Sequence, residues 1–112
     1  MDLVDIRIEF EVQDAKAFGA IIRGHHLVYD AVNEAFTYLE QEIPAKLDDN
    51  GRLRLQLLVD RTSLELFAGD GQVSASFCFL PSAHDTPLEF YAREGSVRLI
   101  SLTVHELAAT WN

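Results

Sequence analysis

Apolar and polar side chains alternate with a period of two over long stretches of this sequence, and that habit constrains the fold more than any other feature. Val4, Ile6, Ile8, Phe10 and Val12 alternate with Asp5, Arg7, Glu9 and Glu11. In an extended chain successive side chains point to opposite faces, so the five apolar groups share one face of a strand. Leu53, Leu55, Leu57 and Val59 repeat the pattern, with Arg54, Gln56 and Asp60 opposite. So do Val73, Ala75, Phe77 and Phe79, with Gln72, Ser74, Ser76 and Cys78 between them. It occurs at Val97 and Leu99, and again at Leu102 and Val104.

Turn chemistry separates these runs. Asp48-Asp49-Asn50-Gly51 precedes one strand, Ala68-Gly69-Asp70-Gly71 lies between two, and Glu94-Gly95 marks a further reversal. Glycine supplies the positive φ that tight turns need, so Asp-Gly between alternating runs predicts a hairpin. The aperiodic stretch from Pro81 to Pro87 predicts a loop, because proline cannot donate to a sheet ladder. Shorter strands are expected at 18–23, 27–31, 35–40, 63–68 and 88–92. Residues 31–42 admit a helical reading through Ala31, Ala35, Phe36 and Leu39, but Phe36, Thr37 and Tyr38 are strand formers and favour a strand. Nine or ten strands at roughly ten-residue spacing predict an all-β fold with little or no helix. The expected architecture is a two-sheet antiparallel β-sandwich of jelly-roll or concanavalin-like type, with residues 1–112 as a single domain. No internal repeat, low-complexity segment or interdomain linker interrupts it.

The charge balance narrows the partners. Nine Lys and Arg stand against 18 Asp and Glu, for a net charge of −9. That surplus argues against nucleic acid and anionic membrane, which attract basic patches. No run approaches the ~18 apolar residues of a membrane helix, and residues 1–12, acidic and alternating, have neither the signal-peptide nor the transit-peptide pattern. The single cysteine, Cys78, excludes an internal disulfide and a Cys-rich zinc site, and leaves the compartment open.

Chemistry-bearing side chains are present without a catalytic pattern. Asp60 and Glu65 flank Arg61-Thr62-Ser63-Leu64. A guanidinium between two carboxylates keeps both ionised, which suits a structural corner better than a general acid. His25 and His26 are adjacent and so point to opposite faces of a strand, while His84 and His105 are distant. Converging metal ligands are not indicated, and solvated loop histidines are the expected reading. No histidine is near Cys78 in sequence to activate it, and by alternation it faces away from Phe77 and Phe79. Neither a nucleophile elbow nor a phosphate-binding loop occurs. Most aromatics are expected in the core. Tyr91, beside an inward Phe90, is the one expected to face outward, where it could contact a sugar.

The run Leu57-Leu58-Val59-Asp60-Arg61-Thr62-Ser63-Leu64-Glu65-Leu66-Phe67, followed by Ala68-Gly69-Asp70-Gly71, resembles the hallmark of the C-terminal β-sandwich of glycoside hydrolase family 32. That family includes levanases, inulinases, invertases and sucrose-6-phosphate hydrolases. Asp14-Ala15-Lys16-Ala17-Phe18-Gly19, Val28-Tyr29-Asp30, Phe79-Leu80-Pro81 and Leu102-Thr103-Val104-His105-Glu106-Leu107 resemble further segments in the same order, and Trp111 matches a closing aromatic.

The resemblance implies a module without catalytic residues. The family's catalytic groups sit on an N-terminal five-bladed propeller, in Trp-Met-Asn-Asp-Pro-Asn, Arg-Asp-Pro and Glu-Cys motifs, and none of the three occurs here. It also implies a C-terminal fragment of a larger propeller-plus-sandwich enzyme, lacking a first strand or two, with an exposed sheet edge open to self-association. Asp60, Arg61, Ser63 and Glu65 are then expected to form a structural corner or the propeller interface. In the corner reading, Arg61 and Glu65 pair along the turn. No catalytic residue, metal site or cofactor is expected. The leading function is support of a fructan- or sucrose-hydrolysing catalytic domain. The alternatives are a carbohydrate-binding module for fructan, and an independent enzyme or metal-binding protein whose site assembles only in three dimensions. The compartment follows the parent: secreted or periplasmic for a levanase, cytoplasmic for a sucrose-phosphate hydrolase.

Overall fold

In the computed structural model, which describes residues 3–69, 72–79 and 89–107, every alternating run is a strand. The order is β1 (Leu3–Val12), β2 (Ala17–Ile22), β3 (His25–Asp30), β4 (Ala35–Tyr38), β5 (Gln41–Pro44), β6 (Arg52–Val59), β7 (Ser63–Ala68), β8 (Val73–Cys78), β9 (Glu89–Arg93) and β10 (Val97–Leu107). No helix occurs among the described residues. The helical reading of 31–42 therefore falls, and that stretch holds β4, two turns and the start of β5. The loop expected at 81–87 lies outside the described residues.

Two five-stranded antiparallel sheets stack as a sandwich. The first has the order β10-β1-β6-β7-β8 and the second β5-β4-β3-β2-β9. Ile6, Ile8 and Phe10 from β1, Leu53 to Val59 alternately from β6, and Leu64 and Leu66 from β7 form one inner face. Phe18, Leu27, Tyr29, Phe36 and Tyr38 form the other. Aromatic rings join the layers. Phe10 lies 4.7 Å from Phe18 and 5.6 Å from Tyr29, and Tyr38 lies 5.1 Å from Phe77, centroid to centroid. Both buried phenols are satisfied: Tyr29 donates to the Ala45 carbonyl at 2.7 Å and Tyr38 to that of Ile22 at 3.2 Å. Burial disfavours the phenolates and pushes the Tyr38 hydroxyl up to about 12.

Local rules set the reversals. The β2–β3 and β4–β5 hairpins each have two turn residues with positive φ: Arg23 and Gly24, then Leu39 and Glu40. Such turns match the right-handed twist of the flanking strands. The two links between sheets at one end are clasped together: the Asp14 carboxylate accepts from the Ser96 backbone N–H at 2.7 Å and its hydroxyl at 2.9 Å. Gly95 makes this possible, since a Cβ there would stand 2.5 Å from the Asp14 carbonyl oxygen.

One irregularity explains a break in the pattern. The apolar alternation of β10 slips phase between Leu99 and Leu102, where the pairing with β1 shifts its register opposite Glu9 and Phe10. Phe10 pairs with Leu99 and Glu9 with Ser101, so Ile100 is a bulge residue. One extra residue restores Leu102 and Val104 to the face of Leu99.

Candidate functional site

Three places hold the residues that could carry function. The first is the β6–β7 corner. Asp60 follows the last residue of β6, and its carboxylate accepts from Thr62 N–H at 2.8 Å, Ser63 N–H at 2.7 Å and the Ser63 hydroxyl at 2.9 Å. The Asp60 N–H closes the turn on the Ser63 carbonyl at 3.0 Å, and Thr62 accepts from Phe79 N–H at 2.8 Å, tying the corner to the chain just beyond β8. Those donors, the Thr62 N–H first, hold the Asp60 carboxyl below the ordinary carboxylate range. An acid pulled in that direction is a backbone anchor, not a proton donor near neutral pH. Arg61 and Glu65 are both exposed, and no ion pair joins them. Glu65 points off the outer face of β7, whereas Arg61 sits on the turn.

The second place is the outer face of the second sheet, around Tyr91. Its ring lies over Gly19, directly across in β2: a Cβ there would meet the ring at 2.2 Å. Its hydroxyl is hydrogen-bonded to His26 Nδ1 at 2.8 Å, and the Arg93 guanidinium stands 5.2 Å from the ring centroid. Tyr91 therefore does face outward as expected, half-buried and fixed on three sides. The histidines depart from expectation: His25, His26 and His105 belong to strands, not loops. His25 turns inward, with its ring 5.6 Å from that of Phe79 and 6.0 Å from that of Tyr38. No group of three or more potential metal ligands converges among the described residues. Cys78 is exposed.

The third place escaped the sequence reading. The outer face of the first sheet carries a cleft of about 550 Å³ lined by Arg7, Glu9, Arg54, Gln56, Phe67 and Thr103, among others. Cross-strand pairing sets Thr103, Arg7, Gln56 and Phe67 in one row over β10, β1, β6 and β7. Asp5 anchors the next row; it is the one buried charged residue among those described. It accepts from Arg7 at 3.3 and 3.4 Å and from the Gln56 amide at 3.2 Å. Glu9 and Arg54 approach to 3.6 Å. The only signal in the sequence was the polar half of each alternation, which is also what a plain solvated face looks like.

The family model for the C-terminal domain of the family 32 glycosyl hydrolases matches residues 2–106. A levanase of Bacillus subtilis (strain 168) is 38% identical over 82 residues, which are 73% of this chain and 12% of the levanase. The chain thus spans about an eighth of that relative. Among solved structures, an exo-inulinase from Aspergillus awamori superposes with a TM-score of 0.81 at 19% identity, over 98% of this chain and 26% of that one. A galectin from Caenorhabditis elegans superposes with a TM-score of 0.68 at 14% identity, over 91% of this chain and 81% of its own. At such identities the superpositions show the shared β-sandwich fold.

Proposed function

We propose, from the premise that this chain belongs to the C-terminal domain family of the family 32 glycosyl hydrolases, that it is a non-catalytic module supporting the catalytic propeller of a fructan- or sucrose-cleaving glycosidase. The observation that carries this reading is the pairing of a family match over residues 2–106 with coverage of only 12% of the levanase. Four of this chain's carboxylates serve the fold. Asp14, Asp30, Asp48 and Asp60 all titrate below the ordinary range because backbone N–H groups bind them in turns.

In this reading the Asp60–Ser63 corner keeps β6 and β7 in register, while exposed Arg61 and Glu65 remain available to the propeller. Tyr91 is a secondary candidate for sugar contact. Self-association draws on Leu99, Leu102 and Val104, the exposed apolar residues of edge strand β10, and light scattering showing a monomer at every concentration ends that part. The main test is direct. The purified chain, incubated with levan, inulin and sucrose, releases no fructose, and its addition raises the melting temperature of a levanase catalytic domain expressed without its own sandwich. Fructose release by this chain overturns the proposal.

A further inference from the structure

We infer that the cleft on the outer face of the first sheet binds a neutral, polyhydroxylated chain, of the fructan class if the parent is the glycosidase proposed above. Its volume of about 550 Å³ lies within the ~300–1,000 Å³ of small-molecule sites. Its charge is internally balanced. Arg7 is matched by Asp5 and Arg54 by Glu9, with the acids set low and the guanidinium groups reaching outward: side-chain exposure is 12% for Asp5 and 23% for Glu9, against 63% and 64% for the two arginines. A phosphate or carboxylate ligand would meet arginines already neutralised, on a chain of net charge −9. A neutral ligand rich in hydroxyls loses nothing by that balance. It needs fixed donors and acceptors, and these are fixed. The Gln56 amide nitrogen is committed to Asp5, which leaves the amide oxygen as an acceptor. Arg7, held by the same carboxylate, has further N–H groups to donate. Thr103 adds a hydroxyl from β10, and the half-buried Phe67 ring closes the row with an apolar surface for the C–H face of a sugar ring.

A protein partner fits this face less well. The exposed large apolar residues of β10, Leu99, Leu102 and Val104, point to the opposite side of the sheet, so apolar docking would use that side. The cleft is also distinct from Tyr91, which lies on the other sheet.

The test is calorimetric titration of the purified chain with levan-derived oligosaccharides, with dextran sulfate as an anionic control. Binding in the millimolar range or tighter is expected, insensitive to salt, and weakened at least tenfold by Phe67→Ala. Because Phe67 is half-buried, Thr103→Tyr provides the second arm. It sits on an exposed strand position, keeps a strand-forming residue and fills the cleft, and it should weaken binding to the same degree while the thermal melt stays unchanged. No binding by the native chain overturns the inference. So does binding that survives both variants and is lost in Tyr91→Ala, or binding to dextran sulfate that salt abolishes. Equally, competition for the cleft by a levanase catalytic domain, with no oligosaccharide bound in the joined protein, would assign the face to domain packing. Fructose release by the chain would overturn the non-catalytic reading alone and leave the cleft standing.

Discussion

Strand β1 has two antiparallel neighbours in the same sheet, and they share a pattern but not a fate. On β6, Leu53, Leu55, Leu57 and Val59 are at most 4% exposed. On β10, Leu99, Leu102 and Val104 point to the same side of the sheet and are 42%, 38% and 50% exposed. The difference lies in the opposite layer. Among the described residues the second sheet ends at β9, five residues long, where β10 has eleven. β6, at the centre of its sheet, faces the aromatic layer of Phe18, Tyr29 and Phe36. Alternation therefore assigns a side chain to a face, and coverage by the other layer decides whether that face is core.

The sharpest way to break this comparison is a matched pair of truncations. Leu57→Ala should destabilise the chain by about 2–5 kcal/mol, as for a fully buried leucine. Val104→Ala should change stability by less than about 0.5 kcal/mol, as at a surface site. Urea melts of both variants check this, and equal losses would mean that β10 is covered in solution. Next in size is Asp60→Ala, which removes three hydrogen bonds at the end of β6. The corner is exposed, so a loss of about 1 kcal/mol, or about 4–8 °C in melting temperature, is expected.

Acid should act through the same group. The folded-state affinity of Asp60 for protons is depressed, so its contribution is present above the ordinary aspartate pKa and is lost as pH falls through the lower, folded value. Thermal melts should fall below about pH 4, and less steeply in Asp60→Asn. Smallest is Arg61→Ala, which breaks no ion pair to Glu65 and should leave the melting temperature within about 2 °C. A larger drop would return Arg61 to the corner.

The sequence made the layers legible because burial on one face leaves a period-two trace that survives any detail of packing. Asp60 was legible for a similar reason: an aspartate before a Ser-containing turn caps its own backbone. The pairing of Arg61 with Glu65 that the sequence suggested does not form, since nearness in sequence across a corner does not bring a turn side chain onto the outer face of a strand. β5 left little trace, with Ile43 its only large apolar residue and Pro44 at its end. The β4–β5 turn uses Leu39 and Glu40 where Asn-Gly would have announced it. The slip in β10 was visible as a skipped beat, but only pairing with β1 showed it to be a bulge. The cleft was least legible, because its residues come from four strands and each looks like ordinary solvated surface alone.

The pairing of β1 with β10 also sets a schedule. Its partners include Val12 with Val97 and Leu3 with Leu107, so the first strand described waits for the last. At ~5–20 residues per second of synthesis, one flank of β1 has no partner for several seconds after it leaves the ribosome. Contacts of such long range also make the final closure slow. During that interval Ile6, Ile8 and Phe10 depend on β6 alone for a neighbour in the sheet. Chaperone dependence and co-translational aggregation should therefore respond to changes in β6 and β10 more strongly than equilibrium stability suggests.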